Sequence, residues 1–152
     1  MSEWSESSHG PILLSKWEIA KQQLDRALLV FLDERDYVCS ITLGGAAEEI
    51  FGQFLKRQGR KTAKDKWVEL CLKEGRFDDV PENRKAFTGM LNWHRNELKH
   101  HDGRDGDGPE EELAVDRGDA IDILQRAIDN YQALALPYSE LILRFQVEID
   151  QD

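Results

Sequence analysis

The residues best suited to chemistry lie in one run, Arg95-Asn96-Glu97-Leu98-Lys99-His100. A guanidinium fork can hold a phosphodiester through two parallel hydrogen bonds, and an imidazole can move a proton at neutral pH. Together they suffice for RNA strand cleavage by the substrate's own 2′-hydroxyl, with no metal and no cofactor. Arg95 and His100 are therefore the candidate catalytic pair, and Asn96 the side chain that orients one of them. Five residues turn an ideal helix through about 500°, which leaves the two side chains about 140° apart. One helix alone makes a poor site, whereas two such helices crossing in a symmetric homodimer can place both pairs in one groove.

The same run contains a second constellation. Glu97 to His100 has Glu-x-x-His spacing, and His94, Glu97 and His101 share a helix face at i, i+3 and i+7. With Glu48 or Glu49 brought opposite, that face would suit zinc or iron. No second Glu-x-x-His occurs, and the remaining histidine, His9, falls in a Ser- and Glu-rich N-terminal stretch. The aspartate-rich stretch after His101 fits a calcium loop poorly. With Gly108 at the turn glycine, Asp105 and Asp107 fall on ligand positions, but Gly103 and Ala114 stand where the two strongest ligands belong. Neither cysteine has a neighbouring histidine, and no glycine-rich loop leads into a lysine, so thiol catalysis and nucleotide-phosphate binding have no signature.

The elements that must position these groups read as helices throughout. Ser15-Lys16-Trp17-Glu18 has the form of a capping box, followed by apolar residues at helical spacing to Phe31, which predicts a helix over Ser15 to Asp33. A second spans Tyr37 to Gln58, ending at Gly59, with an apolar arc of Leu43, Ala47, Ile50, Phe51 and Phe54. Its run Gly44-Gly45-Ala46-Ala47 lowers helix propensity but lets a neighbouring backbone approach. Glu48 sits at the edge of that arc, either partly buried or reaching water. A short helix covers Asp65 to Glu74, stopped at Gly75. The chemistry-bearing helix begins at Pro81 and runs over Glu82 to Asp102, with Phe87, Met90, Leu91, His94 and Leu98 on a core arc and Asn92, Arg95, Asn96 and Lys99 on a polar one. A further helix starts between Val115 and Asp119 and breaks at Leu136-Pro137, and a last one lies within Pro137 to Ile149. The expected fold is all-α, a bundle of about four long helices plus shorter ones, occupying residues 13–150 behind a disordered tail over 1–12 and carrying a mobile loop after His101.

Composition narrows the partners. A chain of 152 residues with a net charge of −10 does not coat nucleic acid or anionic membrane by charge alone. One local exception is the cluster Lys56, Arg57, Arg60, Lys61, Lys64 and Lys66, which reads either as a solvated turn or as a phosphate-contacting patch. Cys39 and Cys71 form no disulfide framework and read as reduced, small apolar residues. No apolar segment approaches the roughly 20 residues that cross a bilayer, so a cytoplasmic protein with no membrane partner is expected.

Arg95 to His100, late in an all-α bundle, resembles the Arg-x(4–6)-His motif of the HEPN superfamily, in which the residue after the arginine is often asparagine, as here. Ala46-Ala47-Glu48-Glu49-Ile50 on an earlier long helix and Arg126-Ala127-Ile128-Asp129-Asn130-Tyr131 on a later one are similar to the family's layout, so the resemblance spans about Ser15 to Ala135. It implies a homodimer that acts as a metal-independent endoribonuclease in toxin–antitoxin, abortive-infection or CRISPR-linked defence, with an antitoxin protein as a possible partner. Arg95 and His100 would be catalytic, Asn96 supportive, and Lys99 with Arg57, Arg60 and Lys61 would contact RNA. Some family members are non-catalytic interaction modules, and that reading stands beside the ferritin-like one using Glu48, His94, Glu97 and His101.

Overall fold

A computed structural model describes residues 10–99 and 112–151, and within them every regular element is a helix. The helices are α1 (Lys16–Leu32), α2 (Tyr37–Arg57), α3 (Ala63–Gly75), α4 (Pro81–Lys99), α5 (Arg117–Ala133) and α6 (Glu140–Ile149). Four long helices and two shorter ones match the architecture expected. His9, His100, His101 and the aspartate-rich stretch with Asp105, Asp107 and Gly108 lie outside the described residues, as does most of the expected tail.

Helix α2 is the centre of the bundle, packed between α1 and α5, with α4 resting on α2 and α3, and α6 closing against α1. Leu24, Leu28 and Phe31 of α1 meet Ile41, Ala47 and Phe51 of α2 and Leu124, Ile128 and Tyr131 of α5 in one apolar core, which Phe145 of α6 completes. Edge-to-face ring pairs, Phe31 with Phe145 at 5.2 Å and Phe51 with Tyr131 at 5.5 Å, lock its two ends. The Tyr131 hydroxyl donates to the Pro137 carbonyl, which ties the α5–α6 connection down.

Local signals fix the helix starts. The Ser15–Glu18 capping box forms as expected. Reciprocal boxes also form at Thr62 with Asp65 and at Asp116 with Asp119, so α3 begins at Ala63 rather than Asp65. Gly59 takes a left-handed φ of 69° just past α2, the role its position suggested. Gly75 does not take that role. It is the last residue of α3, Arg76 adopts the left-handed conformation with φ 55°, and a Cβ on Gly75 would come within 2.7 Å of the Phe77 ring. Glycine there leaves room for the Phe77 ring rather than making the turn. Cys39 is exposed on α2 and Cys71 is half-buried on α3, and both are free thiols.

Helix α4 departs most from its sequence reading. None of its residues is fully buried, and Met90, expected in the core, is 70% exposed. The half-buried side carries Phe87, Leu91, His94 and Leu98 of the expected arc together with Thr88, Asn92 and Arg95 of the polar one. The buried side widens toward Arg95, whose aliphatic stem lies across Gly45. A Cβ on Gly45 would stand 2.5 Å from Arg95 Cδ and 2.8 Å from Cγ. The small residues of α2 thus admit side chains rather than a backbone: Arg95 over Gly45, and Ile123 and Leu124 over Gly44.

Candidate functional site

Where α2, α3 and α4 meet, Glu48 and Glu49 of α2, Lys64 and Asp65 of α3, and Thr88, Asn92 and Arg95 of α4 surround a polar cleft of about 330 Å³. Lys56, Thr62 and Asn130 complete its wall. The floor is an ionic network. Glu48 is only 3% exposed, and it accepts from Arg126 Nε at 2.7 Å while its other oxygen lies 3.2 Å from Lys64 Nζ. Arg126 Nη2 donates to the Leu91 carbonyl at 3.0 Å, so the same guanidinium holds α4 against α2 and α5. Asn130 extends the network, accepting from the Ala63 N–H at 2.8 Å and donating to the Glu48 carbonyl at 3.1 Å. These contacts join four helices through groups buried and bonded to one another, as buried charge requires.

Burial pushes the Lys64 ammonium below its ordinary pKa; Glu48 opposes that shift, while the charges of Arg95 and Arg126 reinforce it. Three cations, Lys56, Lys64 and Arg95, and three carboxylates, Glu48, Glu49 and Asp65, line the cleft; Glu48 is taken by Arg126 and Lys64, and Asp65 caps α3 through the Thr62 N–H.

Arg95 stands at one end of the cleft in a different condition. Its side chain is 12% exposed, and its nearest carboxylate, Glu49 Oε2, lies 3.7 Å from Nη1, beyond hydrogen-bonding distance. Among the described residues, Arg95 Nε and Nη1 are buried with no acceptor, and Asn92 Oδ1, one turn earlier on the same side of α4, is buried with no donor. Such unmet groups cost about 1–3 kcal/mol each unless something pairs with them. A ligand that presents oxygen acceptors to the guanidinium and a hydroxyl to the amide would satisfy both.

The sequence-selected residues thus fall in different places. Arg95 turns inward to the cleft, while Asn96, about 100° further round α4, is exposed. Thr88, Asn92, Arg95 and Lys99 fall within about 60° of one another on the helix, which puts exposed Lys99 in line with the cleft. The basic cluster divides. Lys64 is half-buried against Glu48, Lys56 lines the cleft, and Arg57, Arg60 and Lys61 are exposed around the α2–α3 turn. Arg57 lies over the Phe54 ring, Arg60 bonds Gln58, and Lys61 pairs with Glu69 at 2.8 Å.

The alternative metal face is arranged otherwise. His94 Nε2 is 3.2 Å from both the Ala114 carbonyl and Asp119 Oδ2, Glu97 is exposed, and Glu48 is committed to its two cations. Among the described residues no three His, Cys, Asp or Glu side chains converge as a metal site would need. His101, the fourth member of that set, lies outside them. No described helix is long and apolar enough to cross a membrane.

Sequence reasoning passed over Thr88, Asn92 and Asn130 as site residues, and over Lys64 and Arg126 as the partners of Glu48. The available signal was Glu48 at the edge of an apolar arc, since a carboxylate there implies a cation from another helix. Comparison with family models, with curated proteins and with solved structures finds no match to the chain.

Proposed function

We propose that the chain is a HEPN-like endoribonuclease that acts as a homodimer and cuts RNA without a metal ion. The observation that supports this most is the state of Arg95: a side chain whose stem packs over Gly45, at the wall of a polar cleft, with Nε and Nη1 meeting no acceptor among the described residues. A phosphodiester is the acceptor that a planar fork fits best.

In this reading Arg95 holds a non-bridging oxygen of the scissile phosphate. His100 of the other protomer takes the proton of the adjacent 2′-hydroxyl, and the 2′ oxygen attacks phosphorus as the bond to the 5′ oxygen breaks. The leaving oxygen is protonated by an imidazolium, which leaves a 2′,3′-cyclic phosphate and a 5′-hydroxyl. The second protomer is needed because Arg95 faces α2, and on an ideal helix a spacing of five residues would set His100 about 140° from it. Lys99, aligned with Arg95, and Arg57, Arg60 and Lys61 around the α2–α3 turn supply the local positive charge that binding a polyanion to an acidic chain demands. A role in toxin–antitoxin or related defence, with an antitoxin as partner, follows from the resemblance.

The test is cleavage of single-stranded RNA by the wild-type protein and His100→Ala. Wild-type activity is expected to persist in excess chelator and to fall at least 100-fold in the variant, the scale of a lost general acid–base group, while its thermal melt is unchanged. Full activity in His100→Ala, or loss of wild-type activity in chelator, sinks the proposal.

Gly45→Ala probes the packing of the arginine. The added methyl must displace Arg95 Cδ and Cγ, and misplacing a catalytic group by about 1 Å costs on the order of 100-fold in rate. Alanine improves helix propensity by about 1 kcal/mol, which offsets the steric cost. A large drop in cleavage with a melting temperature within a few degrees of wild type is expected, and an unchanged rate would show that the position of Arg95 is immaterial.

A further inference from the structure

On the opposite side of the first turn of α3 lies a second, wider cleft of about 420 Å³. Residues of that turn alternate between the two: Thr62, Lys64 and Asp65 line the first, while Lys61, Ala63 and Lys66 line the second, and Asn130 borders both. The second is built around the indole of Trp67. That ring is 46% exposed and lies outside the core, although helix positions beside it bury Val68 and Leu72. Leu70 extends the apolar surface, Lys61 and Lys66 stand at the rim, and Asp129 and Gln132 of α5 face it with acceptor and donor groups.

We propose that the Trp67 cleft is a nucleobase-binding subsite for single-stranded RNA, with the base stacked on the indole and the attached phosphate held by Lys61 and Lys66. The inference rests on the ribonuclease reading and says where a second nucleotide of the same strand is held. Three features point to a nucleotide. A half-exposed indole offers a flat face to any base, two ammonium groups flank it for the backbone, and a carboxylate and an amide are available to a base edge. The volume falls in the range of small-ligand clefts, about 300–1,000 Å³. The surrounding turn carries Arg60 as well, so a run of exposed basic residues in an acidic chain and an exposed tryptophan lie together.

The test is the affinity of a fluorescently labelled 2′-O-methyl oligoribonucleotide, which lacks the nucleophile and is not cut, for the wild-type protein, Trp67→Ala, Trp67→Phe and Lys66→Ala. Loss of one stacked base weakens binding by about tenfold or more, so Trp67→Ala is expected to bind about tenfold more weakly. Trp67→Phe, which keeps a ring, should stay within about threefold of wild type, and Lys66→Ala should reduce the salt dependence by about one phosphate contact. Wild-type binding with equal affinity in Trp67→Ala overturns the subsite and leaves the ribonuclease reading standing. So does a phenylalanine variant as weak as alanine with its helical content intact. No binding by the wild-type protein overturns both.

Discussion

Glu48→Ala is expected to cost about 3–5 kcal/mol of folding stability, the penalty for stranding a buried charge by removing its partner. Arg126, with 4% of its side chain exposed, would keep only its bond to the Leu91 carbonyl, and Lys64, 19% exposed, would lose its counter-ion. A domain of this size has a margin of about 5–15 kcal/mol, so the variant should melt on the order of 10 °C lower and sit near its folding threshold. Replacing both partners with apolar side chains of similar volume, Glu48→Met with Arg126→Met, should recover most of the loss, because a buried pair contributes far less than its broken half costs. Thermal and urea unfolding of the two variants checks this. A cost below about 0.5 kcal/mol for Glu48→Ala, typical of an exposed carboxylate, would mean that the network does not hold the four helices together.

The second large effect falls on activity rather than on stability. Arg95→Ala removes the fork assigned to the phosphate, and losing one such preorganised donor lowers turnover by about 10²–10³. Stability should change little, since the side chain makes no complete hydrogen bond through Nε or Nη1 and its removal relieves two unmet donors. Arg95→Lys separates the roles. Lysine preserves the stem over Gly45 but offers a point charge, so it should hold the fold and recover only part of the rate. Measured kcat and melting temperature decide the matter. A variant that melts early yet cleaves at the wild-type rate once folded would assign Arg95 to architecture alone.

Much of the bundle was legible from periodicity and capping. Most of the apolar stripes expected for α1 and α5 is buried, from Ala20 and Leu24 to Ile128 and Tyr131, whereas Trp17 at the start of α1 is 40% exposed and Ile121 only half-buried. Ser15 and Gly59 act as their types suggest. The start of α3 was missed because its box closes with aspartate at the third position instead of glutamate. Helix α4 was harder for a physical reason: a wheel scores arginine as polar and methionine as apolar, whereas burial there is decided by what faces the helix. Gly45 opens a slot that accepts the arginine stem, and Arg126 clamps the Leu91 carbonyl, so Arg95 turns in and Met90 turns out.

The site was legible only in halves. Arg95 and Glu48 were visible as residue types in suggestive positions, but the Glu48–Arg126 pair joins residues 78 apart in sequence, and no local pattern announces such a contact. The division of the basic cluster also needed the fold. The first turn of α3 sends Lys64 inward to Glu48 and leaves Lys61 and Lys66 at the Trp67 cleft, an alternation that a charge count cannot show.

The most direct measurement is RNA cleavage by an equimolar, subunit-exchanged mixture of Arg95→Ala and His100→Ala, beside each variant alone. If Arg95 and His100 act across a dimer, about half the dimers are mixed and each retains one intact pair, so the mixture should reach about a quarter of the wild-type rate while each variant alone is nearly inactive. A mixture no more active than its components, or either variant cleaving at the wild-type rate, would contradict a composite site.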